Sequence, residues 1–249
     1  MMIICPLLVS FEDEDSEKKL STQIIDYKNA FDYFMTNSPN KDKFLVYPFL
    51  GFDKIHYNNV DFNKTIDFIS SYIKKPGVIQ NGEFIGIKFY PQINLDIDTI
   101  NPEFFKYCEA EQIPLTVHCA YNPRNFLKAK GFISKDCNIT QANALTDPLK
   151  WERLIERHNL KNLRLNLAHF EGESWFWMNR IKNMLSKYEN IYTDLSFYLT
   201  GMTLFRGKRE KINYTFTSRV KRILKNDTLR SKILYGSDYY PSIMRLSPL

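Results

Sequence analysis

Four polar side chains end apolar segments of this chain, and their types could together hold a metal ion. Lys88 lies near the end of "FIGIKFYP", His118 ends "IPLTVH", His169 ends "LRLNLAH" and Asp238 ends "KILYGSD". Two imidazoles and a carboxylate are ligands that a borderline divalent metal such as zinc accepts. A carboxylate beside such an ion can also take the proton of a water that attacks an electrophile. The residue types therefore predict metal-assisted chemistry wherever these segment ends converge.

Each of these residues also has a purely structural explanation. His118 can be a core residue with a satisfied ring, and Lys88 can pair with a buried acid such as Asp194. His169 can cap a strand through a backbone bond, and Asp238 in "GSD" can be a turn residue. We favour a shared site, because four polar residues end four segments in the same orientation.

Seven apolar segments are candidate strands: 2–11, 44–52, 84–91, 113–119, 163–170, 190–197 and 232–240. Most are nearly continuously apolar, which is typical of parallel strands that are covered on both faces. Between them, segments with apolar residues at spacings of three and four predict helices within 13–36, 62–73, 101–112, 146–159, 174–188 and 215–225.

This alternation of strands and helices fits either a doubly wound sheet or a (β/α)8 barrel. The sequence contains neither GxGxxG nor GxxxxGK[ST], which weakens the nucleotide-binding sheet. We therefore expect a single barrel domain over residues 1–249. The carboxyl ends of its strands would converge at one mouth, where active sites are built.

Several of these segments, taken in order, resemble blocks of the amidohydrolase superfamily, in its amidohydrolase-related branch. The blocks are "GIKFYP", "IPLTVHCA", "DPLKWERLIERHNLKNLRLNLAHFEG", "NIYTDLSF" and "ILYGSDYY". The branch also includes decarboxylases of the aminocarboxymuconate-semialdehyde type. The resemblance implies a distorted (β/α)8 barrel with a divalent metal ion, for which zinc is the expected species.

The resemblance also implies roles for individual residues. The family's strand-five histidine is a metal ligand and maps to His118, and its strand-six histidine, which binds a second metal or the substrate, maps to His169. Asp238 maps to the strand-eight aspartate, a ligand and proton shuttle. Lys88 falls on strand four, where some members carry a carbamylated bridging lysine, and it is also a candidate to bind substrate. Arg124, in "YNPRNF", could hold a substrate carboxylate bidentately, although a surface role fits it equally well.

The chain departs from the family pattern at its first strand. The family's first strand ends in His-x-His, and this sequence contains no His-x-His. In the family's register, residues 2–11 correspond to strand two, so we expect an incomplete barrel with strands two to eight and without the last helix. Exposed edges of such a barrel would favour homo-oligomers.

The expected function is hydrolysis of an amide, ester or lactone carbonyl in a small-molecule substrate. A water activated by the metal and Asp238 would attack the carbonyl, and His169 would stabilise the developing oxyanion. Two alternatives stay open at this point. One is a decarboxylase on the same barrel, and the other is a degenerate barrel without catalysis.

The amino-acid composition indicates which partners and which cellular compartment to expect. The 249 residues are 44% apolar and contain no uncharged apolar run long enough for a membrane helix. The four cysteines include no CxxC pair, which indicates a cytoplasmic chain with free thiols. The net charge of +6 is concentrated in residues 205–232, which hold ten Lys or Arg and two acids. Few aromatic residues interrupt that segment, so nucleic acid is not an expected partner.

Overall fold

Parallel strands alternate with helices in the computed structural model of this chain. The structure describes residues 2–8, 16–52, 61–74, 78–91, 95–119, 139–170, 174–196, 218 and 220–234. The strands within these ranges are β1 (Met2–Ile4), β2 (Phe44–Val46), β3 (Phe49–Phe52), β4 (Gly86–Phe89), β5 (Leu115–His118), β6 (Leu165–Ala168), β7 (Ile191–Asp194) and β8 (Ile233–Leu234).

The helices lie between the strands, close to the predicted positions. They are α1 (Ser16–Asn37), α2 (Phe62–Tyr72), α3 (Pro102–Ala110), α4 (Ile139–Thr146), α5 (Pro148–His158), α6 (Trp175–Lys187) and α7 (Asp227–Arg230), and residues 220–223 are also helical. Two of the predicted start signals are confirmed, because the Asn101 and Asp147 side chains cap α3 and α5 and a proline follows each cap. Helix α4 has no counterpart in the sequence prediction. None of the helices in the described ranges is long and apolar enough to cross a membrane.

All strand pairs in the described ranges are parallel, and they join neighbours in the chain. One sheet pairs β1 with β2, and the other has the order β3-β4-β5-β6-β7-β8. A doubly wound sheet would reverse its strand order at one point, and these six strands do not. The structure therefore confirms a mixed α/β fold with parallel sheets. Within the described ranges no pairing joins β8 to β1, so the distorted barrel remains a prediction.

The segment 44–52, predicted as one strand, is divided into β2 and β3 at Tyr47 and Pro48. Proline has no backbone N–H, so it interrupts the hydrogen bonds of a strand. The N-terminal segment nevertheless runs beside both halves, because the Tyr47 N–H donates to Ile4 O at 2.8 Å and the Phe49 N–H donates to Pro6 O at 2.8 Å. The two sheets are thus adjacent along this segment.

An aromatic cluster packs one face of the sheet against the helices. Its members are fully buried and have ring centroids 5.1–6.0 Å apart: Phe52, Phe89, Phe104, Phe105 and Trp151. They come from β3, β4, α3 and α5. Burial of such large apolar side chains is the main stabilising contribution to this side of the fold.

The opposite face of the same strands carries polar side chains. Strand pairing aligns Lys88 on β4 with Thr116 on β5, Asn166 on β6 and Tyr192 on β7. Since successive side chains of a strand alternate between faces, the residues two positions further on share this face. These residues include His118 and Asp194, which lie at the carboxyl ends of β5 and β7.

Candidate functional site

Two histidines meet at the carboxyl ends of neighbouring strands. His118 is the last residue of β5, and His169 directly follows β6. The strands pair so that His118 lies beside Ala168. His118 Nδ1 and His169 Nε2 are 2.8 Å apart, and the ring planes make an angle of 74°. The structure thus brings together two of the residues that the sequence singled out.

The backbone at His169 adopts a conformation that most residues avoid. His169 has φ +79° and Phe170 has φ +34°, both in the left-handed region. Such conformations cost roughly 1–3 kcal/mol each and persist only where surrounding contacts hold them. One such contact is a hydrogen bond that the His169 N–H donates to Asp194 Oδ1 at 3.1 Å. The turn directs the His169 ring toward His118.

Asp194, the last residue of β7, accepts hydrogen bonds from three residues. Its Oδ1 accepts from the Ser196 N–H at 3.0 Å and from the His169 N–H, and the Ser196 hydroxyl also contacts this oxygen. Its Oδ2 accepts from Asn166 Nδ2 at 2.8 Å. Asp194 is 7% exposed, so these contacts replace the water that its carboxylate loses. They differ from the pairing with Lys88 that the sequence allowed.

These contacts change the acidity of Asp194. Burial by itself raises the pKa of the carboxyl, but His169 and the hydrogen bonds from Ser196 and Asn166 outweigh burial, so the pKa of Asp194 is lower than usual. The group is therefore a carboxylate at neutral pH.

Ser196 connects the carboxylate to the histidine pair. Its Oγ lies 2.8 Å from His169 Nδ1 and also contacts Asp194 Oδ1. Ser196 is 7% exposed, as are His169 and Asp194. A continuous line of polar contacts therefore runs from Asp194 through Ser196 and His169 to His118.

A stacked aromatic ring and a lysine complete the described part of the site. The Tyr90 ring stacks on His118, with centroids 4.1 Å apart and an interplanar angle of 21°. Lys88 Nζ lies 5.9 Å from the centroid of the Tyr90 ring, and Lys88 is 4% exposed. Burial, followed by the charges of His169 and Lys88, holds the pKa of His118 well below its usual value. His118 is therefore neutral at neutral pH and retains a ring lone pair.

Two predicted residues, Asp238 and Arg124, lie outside the described residues. Three others that contribute to the site were missed from the sequence: Tyr90, Asn166 and Ser196. A signal for two of them existed in the spacing, because Tyr90 lies two residues after Lys88 and Ser196 two residues after Asp194. Alternation along a strand places such pairs on one face.

The donor chemistry of this pair suits a metal ion. Imidazole nitrogens are common zinc ligands, and His118 and His169 direct ring nitrogens at each other. In the described ranges, no group of three or more His, Cys, Asp or Glu is arranged to hold an ion. Any ion held by this pair would therefore need a further ligand from outside these ranges.

The same strands and polar residues fall within a match to a known family. The Amidohydrolase family model matches residues 78–248, which is more than half of the chain. The chain belongs to the amidohydrolase family. This confirms the resemblance that its sequence blocks carry. No curated protein matches the chain.

Solved amidohydrolase-type structures resemble the fold at low sequence identity. A dihydroorotase from Campylobacter jejuni is 15% identical, with 95% of this chain and 68% of that chain covered and a TM-score of 0.48. A Staphylococcus aureus protein named as an amidohydrolase is 13% identical, with 96% and 89% covered and a TM-score of 0.40. Because both TM-scores are below 0.5, membership of the amidohydrolase family rests on the match to the family model and not on these structures.

Proposed function

We propose that this amidohydrolase is a metal-dependent hydrolase that cleaves an amide, ester or lactone carbonyl of a small molecule. Membership of the amidohydrolase family supports the hydrolytic class. The observation that carries the proposal is the pair of ring nitrogens, His118 Nδ1 and His169 Nε2, which face each other at 2.8 Å at the carboxyl ends of adjacent parallel strands. Enzymes built on parallel (β/α) units place their reacting groups at this end.

His118 and His169 would hold the ion together with Asp238, which the family resemblance assigns as a ligand. When bound, a divalent ion such as zinc supplies a Lewis acid that polarises a carbonyl and makes water more acidic. His118 suits this role because its lowered pKa keeps a lone pair available at neutral pH. Asp238 would accept the proton of the attacking water.

The substrate is expected to carry an anionic group. Lys88 is a nearly fully buried cation near His118, and its charge contributes to the low pKa of that ring. Arg124, from the segment that follows β5, is the second candidate to bind a carboxylate, by a bidentate contact. Both assignments are proposals about binding, separate from the hydrolytic step.

The first experiment measures metal content and hydrolysis together. Purified wild-type protein should contain about one zinc or similar ion per chain, as expected of a site with three protein ligands. His118→Ala should lose the ion and the hydrolysis of a panel of amides, esters and lactones. His158→Ala, at the end of α5, is the matched control and should retain both.

Two results would contradict the proposal. One is hydrolysis that survives both His118→Ala and Asp238→Ala. The other is release of carbon dioxide from a carboxylated substrate without net hydrolysis, which would instead favour a decarboxylase.

A further inference from the structure

The line of contacts from Asp194 to His169 determines where the protons lie. Asp194 accepts at both oxygens, since backbone N–H groups of His169 and Ser196 donate to Oδ1 and Asn166 Nδ2 donates to Oδ2. A carboxylate in this setting has no proton to give. The Ser196 hydroxyl must therefore donate its single proton to Asp194 Oδ1, which it contacts.

The direction of the next hydrogen bond follows from the first. Ser196 Oγ has already used its proton, so at the 2.8 Å contact it can only accept from His169 Nδ1. His169 Nδ1 therefore carries a proton. In a neutral imidazole the other nitrogen then has a lone pair, and this nitrogen, Nε2, is the one that faces His118.

We propose that Ser196 and Asp194 are positioning residues that hold His169 in the Nδ1–H tautomer, with the Nε2 lone pair directed into the site. The tautomer is independent of the reaction, but its role in hydrolysis rests on the proposed function. Histidines that bind metals usually donate their other N–H to a carboxylate or carbonyl, which orients the ring. Here a serine hydroxyl stands between the histidine and the carboxylate.

The backbone contact gives Asp194 a second positioning effect. Its Oδ1 accepts the His169 N–H, which helps to hold the left-handed turn at that residue. The Asp194 carboxylate thus acts in two ways. It accepts the backbone N–H that helps to orient the His169 ring, and it accepts the Ser196 hydroxyl that determines the tautomer of that ring. Asp194 and Ser196 can do so because Ser196 lies in a turn two residues after the end of β7, where its N–H donates to Asp194 Oδ1 at 3.0 Å.

Nitrogen NMR of the metal-free, 249-residue chain labelled with ¹⁵N-histidine tests the tautomer directly. Spectra would be recorded at about pH 8.5, about two units above the usual histidine pKa of about 6.5. His169→Gln assigns the ring signals. The wild-type ring should show the proton on Nδ1, and Ser196→Ala should move it to Nε2 in a substantial fraction of molecules.

Two further variants control for other effects of the substitution. Ser196→Thr keeps the hydroxyl and should keep the Nδ1–H tautomer. Thr193→Val removes another buried hydroxyl, which donates to Leu167 O at 2.6 Å on the opposite face of β7. It should leave the His169 signals unchanged.

Zinc titration supplies a second readout. Loss of an outer hydrogen-bond partner typically weakens metal binding about 10- to 100-fold, and Ser196→Ala should weaken it by that factor relative to Ser196→Thr.

A wild-type spectrum with the proton on Nε2 would overturn the inference, even if Ser196→Ala did not fold. A tautomer unchanged in folded Ser196→Ala would also overturn it. An inactive wild-type protein with the expected spectra would refute the proposed function and leave the tautomer assignment intact.

Discussion

The two ends of the parallel strands both carry polar side chains, but they differ in burial. At the carboxyl end, His169, Asp194 and Ser196 are each 7% exposed and bonded to one another. At the amino end, a cavity of about 430 Å³ is lined by Glu109, Ala110, Gln112, Asn162, Arg164 and Asn190.

Contacts at the amino end are exposed to water. Arg164 donates to Gln112 Oε1 at 2.9 Å, and the Asn162 N–H donates to Glu109 Oε1 at 2.7 Å. Water can replace either contact at little cost. A buried polar group has no such substitute, so its partners must come from the protein. Burial and mutual bonding, more than the number of polar residues, distinguish a candidate site from a polar surface.

The largest expected difference is in stability. Asp194→Ala would leave the donors on His169, Ser196 and Asn166 without their acceptor, so the free energy of unfolding should fall by about 3 kcal/mol or more. Glu109→Ala removes one amino-end contact and should cost less than about 1 kcal/mol. Urea denaturation of both variants measures the difference. Equal losses would mean that the buried network contributes no more than the exposed contacts.

The stability of the protein should depend on pH because of His118. Its pKa is lower in the folded chain than the usual 6.5, so the unfolded chain binds more protons below that value. Stability of the metal-free protein should therefore be full above about pH 7 and fall with acid, by at most about 1.4 kcal/mol per pH unit for one proton. Asp194, whose pKa is also lowered, adds a loss of the same sign at pH values below its usual 3.8.

Urea denaturation at a series of pH values measures this loss. His118→Gln should remove the part that begins near neutral pH, whereas His158→Gln should retain it. A wild-type profile that is flat between about pH 7 and about pH 5 would contradict the low pKa of His118.

A smaller effect is expected at the stacked ring. Tyr90→Leu keeps an apolar side chain but removes the stacking on His118, which should cost about 0.5–1.5 kcal/mol. Thermal unfolding of Tyr90→Leu, alone and combined with His118→Gln, isolates the contact. Additive losses would show that the two rings do not stabilise each other.

The smallest effect is expected at the amino end. Arg164→Ala breaks an exposed hydrogen bond to Gln112 and should change the free energy of unfolding by no more than about 0.5 kcal/mol. Metal content and hydrolysis should equal those of the wild type. A loss of either activity or metal would indicate that the amino-end cavity takes part in function, and the contrast between the two ends would fail.

Much of the fold follows from local sequence patterns. Continuous apolar runs predicted the parallel strands, and cap residues with prolines predicted the starts of α3 and α5. The division of 44–52 into two strands could have been predicted, because proline interrupts strand pairing. The continuous apolar run through this segment instead predicted one strand. Helix α4 was missed, since "ITQANALT" has weak apolar periodicity.

The candidate site was predictable in part. His118 and His169 were identified because a polar residue that ends an apolar run is a local feature. Ser196 was not identified, since a serine near a strand end is common and gains meaning only beside a histidine from another strand.

The sequence by itself indicated where the parallel strands lie and which of their residues share a face, because alternation along a strand is a property of neighbouring residues. It also determined membership of the amidohydrolase family. Only the tertiary structure decided that His169 Nε2 faces His118 and that its Nδ1 faces Ser196. Those contacts join residues at the ends of three strands, so they depend on how the strands are staggered in the sheet. They also depend on the left-handed turn at His169. Residues far apart in the chain determine both features.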